Sequence, residues 1–384
     1  MNSNTLRKLI PQIITIVILV SVVAYFWSNT TINMEYYGYE FGYDFLSKAA
    51  SFDIQFSLID YDGSSPYFRA YLVGLLNTIL VSVLGIFFAT LLGVVIGISR
   101  LSKNILISKL AEIYIELFRN IPLLLQLFFW YFAVLRTLPL PENAINIADT
   151  IFITIKGIYV PKFLWVNFNY FISSFLAAII AGFFVFSYAK KQRENYGKHV
   201  PAFLITIGIL LVFSLSGFVF GIVKLDFEYP EIYNLTETVF NFRGGVTIIP
   251  ELLSLLFALS LYTSTFIAEN VRAGILGVGK GQKEAASSLG FTPGQTLRLV
   301  VLPQALRIII PPTTNQYLNL TKNSSLAAAI AYPDLVLVFA GTALNQTGRA
   351  IEIITITMGT YLTLSLLISL LMNWYNKRIA IKEK

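Results

Sequence analysis

Apolar residues in this chain come in long runs separated by polar segments. The first run extends from Ile10 to Trp27 and the second from Tyr71 to Ile98. Further runs cover about 112–135, 163–188, 200–223, 249–271, 303–330 and 351–374. An apolar run of about 18 residues or more is long enough to cross a bilayer as a helix. The pattern predicts about eight transmembrane helices and an all-α polytopic membrane protein. Pro122 is expected to bend the third span near its start, and Pro311 and Pro312 to break the seventh. Gly93 and Gly97 lie one turn apart in the second span, where they let another helix come close. No Ala-x-Ala pattern follows the first run, so it reads as an uncleaved span and not as a signal peptide.

The polar segments alternate in the sign of their charge. Arg7 and Lys8 precede the first run, and Arg100, Lys103 and Lys109 follow the second. Lys190, Lys191, Arg193 and Lys198 separate the fourth and fifth runs, and Lys377, Arg378, Lys382 and Lys384 follow the eighth. Between these lie acidic segments. Residues 28–69 hold Glu35, Glu40, Asp44, Asp53, Asp60 and Asp62 against Lys48 and Arg69, and residues 224–247 hold Asp226, Glu228, Glu231 and Glu237. Basic residues favour the cytoplasmic side of a membrane. With eight spans, the N-terminus, 100–111, 189–199, 272–302 and 375–384 are expected in the cytoplasm, both termini included.

Composition adds exclusions. The chain is 56% hydrophobic and 13% charged, against about 25% charged residues in a soluble domain. It has no cysteine, hence no disulfide and no thiolate metal site. The single His199 lies in a basic loop and is given no catalytic role. The net charge of +7 gathers in segments flanking the membrane and gives no reason to expect nucleic acid.

The longest basic segment contains a pattern of its own. Gln282–Leu289 can form two helical turns, in which Ala285, Ala286 and Leu289 share a small apolar face. Gly290 suits the C′ position because glycine reaches left-handed φ without strain. Thr292, Pro293 and Gln295 then fit the N-cap, N1 and N3 positions of a new helix with a capping box. Small side chains let a partner's surface approach, and Glu284 can pair with an arginine there. On geometry alone an ordinary surface helix between two spans fits as well.

The full spacing resembles the EAA loop of ATP-binding-cassette (ABC) importer permeases. Its positions are Glu284, Ala285, Ala286, Gly290, Val300, Leu302 and Pro303, with Val300 in place of an Ile-like residue. Two blocks, about 70–135 and 249–375, extend the likeness. The first includes Glu116-Leu-Phe-Arg-Asn-Ile-Pro122, and the second includes Ala268-Glu269, Arg272, Lys322-Asn-Ser-Ser-Leu326 and Tyr332-Pro-Asp-Leu335. Together they resemble the five-span permeases of polar-amino-acid importers in the histidine and glutamine permease group. An extra span in 1–69 and two more in 136–248 resemble the larger form seen in general L-amino-acid and glutamate/glutamine/aspartate/asparagine permeases.

The resemblance implies a type I permease fold in a bacterial cytoplasmic (inner) membrane. Its core would be 70–135 and 249–384, with the coupling loop at 277–303. Glu284, Ala285, Ala286, Leu289 and Gly290 would dock in a groove of a separate ATPase dimer. A second permease subunit, an extracytoplasmic amino-acid-binding protein and an amino-acid substrate complete the expected partners. ATP and Mg²⁺ would sit on the ATPase. This chain lacks G-x-x-x-x-G-K-[ST], and Gly277-Val-Gly279-Lys280-Gly281 has the wrong spacing and reads as a hinge.

Within the spans, ionisable residues are costly and draw attention to function. Lys322, Asn323 and Ser324, beyond the paired prolines, are candidates to line a substrate path, as is Gln126. The bland alternative pairs Lys322 with Asp334. Glu269 and Arg272, one turn apart, are expected to form an ion pair, and Arg119 and Asn120 to serve as a cap or headgroup contact. No catalytic residue and no metal ligand is expected. The rival readings are an ion-coupled carrier, an ABC importer of another small polar metabolite, and a membrane scaffold or sensor.

Overall fold

The computed structural model describes residues 3–36, 41–197, 200–236 and 239–379. Glu40, Lys198, His199, Glu237, Lys382 and Lys384 lie outside the described residues, as do the side chains of Arg7, Lys8 and Glu35.

Helices occupy all eight expected positions. They are α1 (Ser3–Tyr36), α2 (Tyr67–Ser99), the pair α3 (Ile105–Asn120) and α4 (Leu123–Phe128), α5 (Phe168–Tyr196), α6 (Ala202–Val219), α7 (Pro250–Leu276), α10 (Leu302–Asn323) and α12 (Ala350–Ile379). Short helices α8 (Lys280–Ser288), α9 (Pro293–Thr296) and α11 (Leu344–Thr347) stand between them. Among the described residues six helices are long and apolar enough to cross a membrane, and Ile105–Asn120 with Leu123–Thr137, bent by 101°, brings the number to seven if the pair is counted as one span. The eighth position, α10, has spanning length, about 33 Å at 1.5 Å per residue. It falls short in apolarity because it carries Gln304, Arg307, Asn315, Gln316, Asn319 and Lys322.

The bend at Pro122 forms as expected. Ile121 is pushed to extended backbone (φ −93°, ψ 128°). Gln126 then turns its amide back, its Nε2 donating to the carbonyls of Phe118 (2.7 Å) and Ile121 (2.9 Å). The expected break at Pro311 and Pro312 does not form, and α10 runs through both. Neighbouring hydroxyls are turned to the backbone here. Thr313 donates to Ile309 O at 2.7 Å and Thr314 to Ile310 O at 3.0 Å, one turn back on the helix; the carbonyls that the prolines deprive of an N–H are those of Arg307 and Ile308. The helix tightens only at 324–330, into a 3-10 stretch closed by Ala331 at φ 60°.

The chain divides into two compact units, Phe128–Ser254 and the remainder. In the larger unit, α2 buries a stripe of small residues that includes Gly74, Gly85, Ala89, Gly93 and Gly97. A Cβ at Gly93 would meet Ile267 at 2.6 Å, and one at Gly97 the carbonyl of Ala268 at 2.6 Å. The glycine pair thus packs α2 on α7. Residues 41–66 form a strap over α2, α12 and a π-helical segment, Val336–Ala343. Phe45 is buried among Tyr67, Phe339 and Ile353. The Gly42 N–H donates to Glu352 at 3.0 Å, and Asn77 Nδ2 donates to both Phe56 O and Pro333 O at 2.9 Å. On the exposed side of the strap, the hydroxyls and N–H groups of Ser64 and Ser65 hold the Asp62 carboxyl below its usual range.

The unit Phe128–Ser254 contains the expected insert 136–248. Its helices α5 and α6 pack as an antiparallel hairpin. Gly182 lies close against Thr206, and Gly217 against Val223 and Tyr170. The expectation of helices alone is incomplete here, because eight short strands flank the hairpin. Strands β1 (Ile145–Ile147), β2 (Ile151–Thr154), β3 (Gly157–Val160) and β8 (Val246–Ile248) form an antiparallel sheet in the order β1-β2-β3-β8. Strand β4 (Lys162–Val166) pairs with β5 (Lys224–Glu228), and β6 (Glu231–Thr236) with β7 (Val239–Arg243).

Candidate functional site

The EAA segment folds as its residues dictate. Helix α8 ends at Leu289 and Gly290 takes φ +79°. The Gly290 N–H donates to Ser287 O (3.0 Å) and the Phe291 N–H to Ala286 O (3.1 Å), a Schellman closure. Thr292 and Gln295 close the expected capping box at the start of α9. A π-helical segment, Leu297–Val301, then joins α9 to α10 without a turn between them. The result is one near-continuous rod from Pro293 to Asn323, about 45 Å long. One end sits beside α8, and the other end carries Lys322.

The shared apolar face expected of α8 splits in two. Ala286 is buried, with 3% of its surface exposed, whereas Leu289 is 76% exposed and Glu284, Ala285 and Ser288 are exposed beside it. The reason is angular. Positions 285 and 289 are one turn apart, while 286 is rotated about 100° from 285. Ala286 therefore faces the chain's own body. Glu284, Ala285, Ser288 and Leu289 form an exposed surface on its outer side. On another side of α8, Lys283 and Ser287 border a hollow of about 360 Å³ with Phe291, Thr296 and Val301. Gln304 on α10 reaches Gln282 at 3.4 Å.

The other end of the rod borders a cavity of about 460 Å³. Lys322, Ser325, Thr357, Tyr361 and Ser365 supply its polar groups, and Val336, Met358 and Leu362 its apolar wall. This volume and mixture suit a small ligand. Lys322 is exposed and takes part in none of the salt bridges among the described residues. The alternative pairing with Asp334 is absent. Asp334 is fully buried and accepts instead from the Leu337 N–H at 2.8 Å, with the Tyr361 hydroxyl at 3.5 Å.

The remaining candidates separate from Lys322. Ser324 is buried and donates to Thr321 O at 2.7 Å, and neither it nor Asn323 lines the cavity. Gln126 is 4% exposed and its amide is committed to the Pro122 bend. Glu269 and Arg272 form the expected ion pair, with Arg272 Nε at 3.0 and 3.1 Å from the two carboxylate oxygens. Arg119 lies over the ring of Phe266 at 5.2 Å, a cation–π contact in place of the expected cap. Among the described residues no cluster of His, Cys, Asp or Glu could hold a metal ion.

The sequence reading missed Tyr361 and Thr357, which share the cavity with Lys322. Both lie on α12, which reads as an unremarkable apolar span, and a hydroxyl every turn was the only signal. It also missed two buried acids, Glu352 and Glu251, each in the first turn of a long helix. That position favours a carboxylate through the helix dipole.

The model for the inner membrane component of binding-protein-dependent transport systems matches residues 196–381. The chain is 50% identical to YhdX of Escherichia coli, provisionally named an amino-acid ABC transporter permease, over 99% of this chain and 96% of that protein. It is 47% identical to AapQ of Rhizobium johnstonii, a general L-amino acid transport system permease, over 98% of this chain and 93% of that protein. A crystal structure of an amino acid ABC transporter with histidines aligns with a TM-score of 0.48 at 21% identity, covering 81% of this chain and 95% of that one.

Proposed function

The chain belongs to the amino-acid ABC transporter permeases, inner membrane components of binding-protein-dependent transport systems, and from that premise we propose that it carries L-amino acids into the cytoplasm. The energy comes from ATP and Mg²⁺ on a separate ATPase dimer. A second permease subunit supplies the other half of the path, and an extracytoplasmic binding protein delivers the substrate. The basic segments 100–111 and 272–302 face the cytoplasm, and both termini lie on that side.

The observation that carries this reading is the exposed side of α8. Glu284, Ala285, Ser288 and Leu289 form a short, small-residue surface with an acid at its leading edge. The surface is held to the body of the protein by Ala286 and by the Schellman closure. The ATPase docks on that surface. Its closure on ATP displaces α8, and the rod Pro293–Asn323 carries the movement to the cavity at Lys322. A flexible link would dissipate such a movement, and the π-helical join avoids one.

In the cavity, the Lys322 ammonium receives the carboxylate common to all amino acids. The hydroxyls of Ser325, Thr357 and Tyr361 donate to Lys322 O, Ile353 O and Asp334, so Lys322 is the main polar group offered to the ligand, and the apolar wall accepts side chains of varied size. Such a site grips the backbone groups of the substrate and leaves discrimination to the binding protein. Glu269, the acid that the sequence places well within a span, is neutralised by Arg272; Asp334, Glu251 and Glu352 are buried acids as well, and the ion-gradient arm of the uptake test separates the two mechanisms.

The test is uptake by the complete complex in liposomes, supplied with the binding protein and a panel of L-amino acids. Wild-type complex should show substrate-stimulated ATP hydrolysis and uptake. The Lys322→Met variant should lose one charge-assisted hydrogen bond of about 1.5–3 kcal/mol, which is roughly tenfold or more in affinity within the cavity. Normal uptake with unchanged specificity in that variant removes Lys322 from the path. Uptake that survives loss of the ATPase but fails without an ion gradient removes the ABC mechanism.

A further inference from the structure

Strands β4 and β5 continue the helical hairpin α5–α6 at the end opposite its connection. Strand β4 enters α5 through Asn167, and α6 leads through residues 220–223 into β5. The two strands form an isolated antiparallel ribbon in which all ten residues are exposed. Residues directly opposite in an antiparallel pair point to the same face, and successive residues to opposite faces. The register pairs Phe163 with Phe227 and Trp165 with Leu225, and it pairs Lys162 with Glu228, Leu164 with Asp226 and Val166 with Lys224. One face is therefore wholly apolar, and every charge lies on the other.

A two-stranded ribbon is marginal in water without a surface beneath its apolar face. Here the apolar face stays uncovered, with Phe163 at 59% and Trp165 at 42% exposure. It is also continuous with the membrane helices. The Trp165 ring lies 5.2 Å from Phe168, 5.7 Å from Phe171 and 6.1 Å from Phe218, the last three being at the adjoining ends of α5 and α6. Those helices expose Phe175, Phe183, Leu204, Val212 and other large apolar side chains along their length. Trp and Tyr concentrate at the boundary between acyl chains and headgroups, and Trp165 stands at the junction of ribbon and helices.

We infer that the β4–β5 ribbon is a membrane-surface anchor. It lies along the bilayer boundary with Phe163, Trp165, Leu225 and Phe227 turned to the acyl chains. Lys162, Lys224, Asp226 and Glu228 face the headgroups and water. The occupant of the apolar face is phospholipid, and the anchor fixes the tilt of the inserted hairpin.

Because the chain has no cysteine, single spin labels can be introduced at Phe163→Cys and Glu228→Cys in a complete complex whose other subunits have had their cysteines replaced, in nanodiscs of phosphatidylethanolamine and phosphatidylglycerol. The label at 163 should be more accessible to oxygen than to a water-soluble nickel chelate, and the label at 228 should show the reverse. Quenching of Trp165 by lipids spin-labelled near the headgroup, in a variant with Trp27, Trp130 and Trp374 replaced by Phe, gives a second reading without altering the ribbon. Strong quenching is expected. Equal access of the chelate to both labels means that the ribbon stands in water and overturns the proposal. Shielding of position 163 from both reagents means that a protein surface covers the face, and that result overturns it as well.

Discussion

Helices α6 and α7 are both long enough to cross a bilayer, yet 6% of the most apolar stretch of α6 is buried within the protein against 67% of that of α7. The more apolar helix is the more exposed one. Helix α6 presents Phe203, Leu204, Leu211 and Val212 outward and buries only Ala202 and Gly217. Helix α7 buries Ser254, Ser260, Thr263, Ser264 and Thr265. Several of these hydroxyls turn back onto the preceding turn, as Ser254 does to Pro250 O at 2.8 Å and Thr265 to Tyr262 O at 2.7 Å. In a membrane, lipid tails are as apolar as leucine, so large apolar residues gain nothing by meeting each other. Small residues and satisfied hydroxyls bring helices together. Between α6 and α7 the more apolar helix is the less buried; α2, more apolar than either, is 28% buried over its most apolar stretch because its glycine and alanine stripe admits neighbouring helices.

The comparison is broken most directly by adding the same bulk to each kind of helix. Gly97→Leu would drive a side chain into Ala268 and Val271, an overpacking that costs about 1–3 kcal/mol. Gly208 on α6 has nothing within 4 Å of a built Cβ, so Gly208→Leu should stay within about 0.5 kcal/mol of wild type. Thermal unfolding in nanodiscs measures both. Equal damage from the two changes would erase the distinction.

A smaller effect is expected at the polar link between strap and core. Asn77→Ala removes two hydrogen bonds of 2.9 Å and leaves the carbonyls of Phe56 and Pro333 without that donor, a loss of about 2 kcal/mol. Proteolysis within residues 41–66 should accelerate, and an unchanged cleavage rate would show that the apolar contacts of the strap and the Gly42–Glu352 bond hold it without Asn77. Smaller still is the link in the other unit, where the Tyr131 hydroxyl donates to Glu251 at 2.9 Å. Tyr131→Phe should lower the unfolding free energy by about 1 kcal/mol, read from the same thermal transitions. A larger loss than at Asn77 would reverse the ranking of the two units.

What could be read from sequence was what short-range chemistry decides. Gly290, Thr292, Pro293 and Gln295 specify a stop and a restart within a few residues, and the structure has both. The bend at Pro122 was legible for the same reason. The continuation of α10 through Pro311 and Pro312 was not, since it depends on packing against α2 and α12, which local sequence does not show. The side of α8 that meets the chain was equally hidden. Ala285 and Ala286 are chemically identical, and only the direction from which the body approaches separates them. The strands escaped notice because they are three to six residues long and follow or precede apolar spans. Phe163, Trp165 and Val166 read as the start of a helix until β5 is seen to pair with them. Lys322 drew attention because a cation in an apolar run is conspicuous, whereas the placing of Thr357 and Tyr361 beside the same cavity depends on how α12 packs.

The central claim is that the exposed side of α8 couples this permease to an external ATPase. Its most direct test is disulfide trapping in native membrane vesicles, with one cysteine on α8 and one in the groove of the ATPase subunit. Cysteine at Ala285 or Leu289 should capture the ATPase, with a yield that changes on adding ATP, and cysteine at Ala286 should capture little. Capture through Ala286 with none at Ala285 or Leu289, or no capture at any of the three, would contradict the account.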